Sequence, residues 1–122
     1  MLTDEQIAKA KMEVVLRDAH HEHNDCIRMA YEWLDAQKKT KTKTKAAHPL
    51  KHIIERWCGR YVSQSDVEIA AYLHPQVVGK YPFYNISTRL TEPSARRLVG
   101  IGEAFAHSDT YRNRPDTYAV RE

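Results

Sequence analysis

The sequence predicts a mainly α-helical, α+β chain, with long helical stretches first and a small β component near its end. Three observations carry that expectation. Residues 4–37 contain neither Gly nor Pro. Apolar residues recur at three- and four-residue steps from Met12 to Leu34 and again from Leu50 to Tyr61, the spacing of one helix face. Beyond residue 74, Gly, Pro and polar clusters break the chain into short pieces that suit turns and strands. With 122 residues there is room for one compact domain and an appendage.

The first element is expected to be one long helix over residues 1–37, opened by a capping box of Thr3 and Gln6 with Asp4 and Glu5 at the positive end of its dipole. Met12, Leu16, Ala19, His23, Cys26, Ala30 and Trp33 form a seam, widened by Ile27, Tyr31 and Leu34. A break at Asn24-Asp25 is an open alternative, because both residues favour caps. A helix of that length exceeds what a small core needs. Leu16, His23, Ile27, Tyr31, Trp33 and Leu34 are therefore expected to pack on a second copy, giving a homodimer.

Lys38 to Lys45 alternates Lys with Thr and has no apolar face, which predicts an exposed, mobile linker over 38–48. The third element opens at His48-Pro49 and carries Leu50, Ile53, Ile54, Trp57 and Tyr61 on one face, with Gly59 as a left-handed cap. The fourth is a short helix with a capping box at Ser65 and Glu68, running through Leu73 to a stop at His74-Pro75. A further helix is expected over Tyr84–Thr91, with Ile86 and Leu90 inward. Strands are expected at 103–107 and 116–120, joined by the polar tip from Ser108 to Pro115.

Charge is segregated along the chain. Residues 1–35 hold 4 basic and 8 acidic groups, residues 36–62 hold 8 and 1, and residues 63–122 hold 7 and 7. A concentrated positive stretch is the footprint of a polyanion-binding segment, or of a solubilising linker. No nucleophile elbow, P-loop or dinucleotide fingerprint is present, so no enzyme is predicted. Cys26 and Cys58 lie on apolar helical faces and are expected to be buried free thiols. The run from His20 to Cys26, with His48 and His52, could be imagined around a metal, but it matches no zinc signature. No cofactor or metal is predicted. The acidic start lacks the apolar run of a signal peptide, and no run is long enough to cross a bilayer. A cytoplasmic location without membrane contact is the expectation.

Residues 49–122 contain the runs SDVEIAAYL, NISTRLTE, RLVGIGEAF and RNRPDTYAV. Their order resembles a winged helix-turn-helix DNA-binding domain, the last two runs being similar to the strands of a β-hairpin wing. The family's turn is 3–4 residues. Here His74 to Phe83 intervenes, as an expanded turn or with Val77-Val78 extending a helix. The resemblance implies double-stranded DNA as partner. Tyr84, Asn85, Ser87, Thr88 and Arg89 would then contact bases and phosphates, and Arg112 and Arg114 would sit on the wing. Lys38, Lys39, Lys41, Lys43 and Lys45 would add salt-sensitive affinity. The function implied is a non-catalytic DNA-binding regulator or accessory factor. The alternative is a protein-binding inhibitor or adaptor that docks through the long helix or the winged domain.

Overall fold

The structure, a computed structural model, describes residues 1–43 and 48–122. Lys45, assigned above to the basic linker, lies outside the described residues. Four helices dominate: α1 (Asp4–Glu13), α2 (Asn24–Ala36), α3 (Leu50–Cys58) and α4 (Gln64–Leu73). Short strands follow: β1 (Gly79–Lys80), β2 (Phe83–Tyr84), β3 (Thr91–Glu92) and β4 (Val120–Arg121). The chain is thus mainly α with a small β part. No described helix is long and apolar enough to cross a membrane.

The N-terminal rod is two helices, not one. Thr3 and Gln6 form the expected capping box of α1. The helix stops at Glu13, and the β-branched pair Val14-Val15 follows as extended chain. The next residues are held by the start of α4. The His20 amide donates to Ser65 Oγ at 3.1 Å, and Ser63 Oγ donates to the His20 carbonyl at 2.5 Å. The Glu22 amide donates to Asp66 Oδ2 at 3.1 Å, and the His21 ring meets Asp66 Oδ1 at 2.9 Å. Backbone groups satisfied in this way have no need of a helix. His23 consequently leaves the seam and caps α2, its ring nitrogen accepting the Asp25 amide at 2.9 Å.

α2 lies at the centre of the core and packs most extensively on α4. Cys26, Ile27, Met29, Ala30, Trp33 and Leu34 are all completely buried within this single chain. This removes most residues of the expected dimer seam. Ile27, Trp33 and Leu34 have no surface to offer a second copy, Leu16 and Tyr31 are half-buried, and His23 is a cap. The seam exceeds one small core only if α1 and α2 form a single rod. Folded back, the same residues fill an intrachain core.

α3 follows the sequence expectation, with Leu50, Ile53, Ile54 and Trp57 buried and Gly59 capping it at φ +64°. α4 begins earlier than expected. Ser63 is its N-cap and Asp66 completes the capping box, with Val67, Ile69 and Ala70 buried.

The hairpin wing is absent. Residues 103–107 form turns, and their amides close off α3: Phe105 donates to the Cys58 carbonyl and His107 to the Gly59 carbonyl, both at 2.8 Å. β4 pairs in parallel with β3, Thr91 opposite Val120 and Glu92 opposite Arg121. The C-terminus is fixed there by Arg97, which reaches Glu122, Glu32 and Asp35. Arg112 and Arg114 therefore lie on an exposed loop, not on a wing; Asn113 between them donates to Glu92 Oε2 at 2.8 Å.

Candidate nucleic-acid interface

The segment expected to be a reader helix is extended. β2 pairs antiparallel with β1, Gly79 opposite Tyr84 and Lys80 opposite Phe83. Gly79 sits at φ +114°, and a Cβ there would lie 2.5 Å from the Phe83 carbonyl oxygen, so this turn requires glycine. Beyond Tyr84 the strand direction continues through an antiparallel bridge between Ile86 and Lys39. The Ser87 amide donates to the Lys38 carbonyl and the Thr40 amide to the Asn85 carbonyl, each at 2.8 Å. The described part of the Lys/Thr tract is therefore stitched to the segment it was expected to assist from a distance.

These bonds assemble a three-part ribbon from residues 38–40, 83–87 and 78–80. Its keystone is Asn85, only 6% exposed. Its side-chain oxygen accepts the Val78 amide at 2.7 Å. Its side-chain nitrogen donates to the Gln76 carbonyl at 2.9 Å and the Thr40 carbonyl at 3.3 Å. The segments on both sides of it are tied by this one amide, whose two N–H donors are both used within the chain. Tyr84 is likewise buried, and burial raises its phenol pKa above the ordinary value of 10. Asn85 and Tyr84 are thus structural residues, against the expectation that they read bases.

The remaining predicted contacts divide clearly. Lys39 turns inward. Its Nζ donates to the carbonyls of Leu34, Asp35 and Gln37 at 2.7–2.9 Å, capping the C-terminal end of α2. Burial holds its pKa below the usual 10.5. Lys38, Lys41, Lys43, Thr88 and Arg89 are exposed, and Ser87 is half-buried with its hydroxyl accepting the Arg89 amide. Lys43 lies across β1, its Cγ 3.4 Å from where a Cβ on Gly79 would be. His48 meets the Thr88 carbonyl at 3.0 Å and so borders the same surface.

The ribbon joins two stretches, 36–54 and 69–91, that contain 8 Lys and Arg and not one Asp or Glu. The rest of the chain holds 11 basic and 16 acidic residues. These two stretches thus carry the excess positive charge, and the remainder of the sequence is net negative. Among the described residues, the Lys and Arg side chains in ion pairs are Arg28, Lys51, Arg60, Arg97 and Arg121. Lys38, Lys41, Lys43, Lys80 and Arg89 stand in none of them. Lys80, part of β1, was missed in the sequence; its signal was the absence of any carboxylate from residue 69 to residue 91.

The His and Cys residues do not converge. His20 pairs with Glu22, His21 with Asp66, and His52 faces Glu55. Cys26 and Cys58 are buried free thiols, both pushed up to about 12 by burial. Among the described residues no three His, Cys, Asp or Glu side chains form a metal-sized group. Compared with known protein families, curated proteins and solved structures, the chain matches none of them.

Proposed function

We propose that this chain is a non-catalytic DNA-binding protein, a regulator or accessory factor, whose contact face is the acid-free ribbon. The observation that carries this reading is the hydrogen-bonded pairing of Lys38–Thr40 with Asn85–Ser87, which joins two basic, carboxylate-free stretches. Exposed, unpaired ammonium groups on one surface release counterions from a phosphate backbone and so bind it. The backbone pairing of Lys38–Thr40 with Asn85–Ser87 anchors one end of the tract, which lowers the ordering cost of binding.

Within this proposal the roles differ from those expected of a helix. Lys38, Lys41, Lys43 and Lys80 hold phosphates. Arg89 and Thr88, at the exposed end of the ribbon, are the residues available to base edges. Asn85 and Lys39 serve by shaping the ribbon and its junction with α2. Arg112 and Arg114 lie outside the ribbon, on the exposed loop that Asn113 anchors to Glu92.

The test is retention of a fluorescein-labelled duplex at low salt by the wild-type chain and by a chain with Lys38, Lys41 and Lys43 changed to Gln. The reading expects anisotropy to rise with wild-type protein and to fall back in the variant. Equal retention by both chains, or none by either, removes it.

A further inference from the structure

A separate concavity opens on the side of the ribbon away from residues 38–40. It has a volume of about 640 Å³, within the range of ligand-sized clefts. One wall is the segment Val14–Leu16 with Arg17 at the turn that ends it, the floor is α4 with Ala71 and Tyr72, and the other wall is Val77–Lys80.

Three features of this groove define what fits it. The first is an open strand edge. Among the described residues, no hydrogen bond is made by the amides of Val15, Leu16 or Arg17, and the Val15 carbonyl accepts none, before the chain turns at Arg17-Asp18. Such an edge is a template for another strand. The second is exposed apolar surface on both rims: Val15 is 96% exposed, Tyr72 52% and Val78 53%. The third is charge. Arg17 stands on one wall and Lys80 on the other, both exposed and in no ion pair among the described residues. The one carboxylate of the lining, Glu68, accepts a hydrogen bond from Gln64 at 2.9 Å.

We propose that this groove binds an extended, acidic and apolar segment of a partner protein, which adds as a strand along Val14–Leu16. Its apolar side chains cover Tyr72 and Val78, and its carboxylates pair with Arg17 and Lys80. A second copy of this chain would bring the same two cationic walls with no acidic strand to meet them. A nucleic acid would leave Val15 and Val78 against phosphate. The inference shares Lys80 with the DNA reading and is tested apart from it at Arg17 and Tyr72, which lie outside the ribbon.

The probe is a phage-displayed library of linear peptides, panned against the full chain in the absence of nucleic acid. The best-enriched peptide is then titrated against wild type, Arg17→Glu, Tyr72→Ser and Val99→Ser. Val99 is an exposed apolar residue outside the groove and serves as control. The expected result is enrichment of sequences alternating apolar residues with Asp or Glu. Binding should weaken at least about tenfold in Arg17→Glu and Tyr72→Ser and hold in Val99→Ser. Amide resonances of Val15, Leu16 and Arg17 should shift on binding. Failure to enrich, enrichment of basic peptides, equal binding to all four chains, or a chain that dimerises through Tyr72 would each overturn the proposal.

Discussion

The Val78 amide donates to Asn85 Oδ1 at 2.7 Å, and the Asn85 amide donates back to the Val78 carbonyl at 3.1 Å. With its side-chain nitrogen turned to Gln76 and Thr40, Asn85 closes the ribbon from both sides. Asn85→Ala would strand the Val78 donor and two carbonyls in a partly buried place. The expected cost is about 1–3 kcal/mol, read as a lower urea midpoint. Binding of duplex DNA should weaken together with stability, because the basic side chains lose their common scaffold. Asn85→Asp should also destabilise, since a carboxylate cannot donate to Gln76 or Thr40.

Neighbouring lysines have opposite roles. Lys39 grips three carbonyls at the end of α2, whereas Lys38 points to solvent. Lys39→Gln should lower the thermal midpoint, by an amount corresponding to about 1 kcal/mol, and leave the salt dependence of DNA binding nearly unchanged. Lys38→Gln should do the reverse. Equal effects of the two substitutions on both measurements would show that the inward and outward assignments are wrong.

Trp33 decides between an intrachain core and a dimer seam. It is fully buried, and its indole N–H donates to the Tyr118 hydroxyl at 3.1 Å. Trp33→Ala should cost about 3–5 kcal/mol and unfold or loosen the chain at any protein concentration. A loss of stability that disappears on raising the concentration would restore the intermolecular reading.

Four carboxylates, Asp4, Glu22, Asp35 and Glu122, are held below their ordinary pKa and contribute to the acid limit of stability. The Arg97 guanidinium holds Glu122 below its ordinary 4.5, and the Arg60 guanidinium does the same for Glu22. A carboxylate with a lowered folded pKa contributes stability above its unfolded value, and that contribution is lost as pH falls through the folded value. Urea midpoints should therefore be level above pH 4.5 and decline below it. Glu122→Gln should lower the plateau and make the acid decline shallower, as followed by tryptophan fluorescence.

Some of this fold was legible in the residues and some was not, for identifiable physical reasons. The Thr3–Gln6 cap, the face of α3 and the Gly59 cap are local signals, and local signals survive folding. The break after Glu13 is not local: it depends on Ser63, Ser65 and Asp66, more than forty residues away, offering partners to residues 20–22. Tyr84–Thr91 misled because a spacing of four fits a helix turn and also two strand repeats. Ile86 and Leu90 are buried as expected, but on extended and irregular chain. The pairing of the Lys/Thr tract runs through backbone atoms, which leave no side-chain pattern to read. What the sequence did show of the candidate site was its charge, through Lys38, Lys41, Lys43 and Arg89. It did not show that Asn85 and Lys39 are spent on the scaffold.

The most direct test is the slope of log affinity against log salt for a labelled duplex, compared between wild type and the Lys38→Gln, Lys41→Gln, Lys43→Gln chain. Each neutralised phosphate contributes a slope of about −0.9, so the triple variant should lose roughly 2–3 from the wild-type slope. An unchanged slope in that variant, or no measurable wild-type affinity at low salt, would contradict the ribbon as a DNA-contacting face.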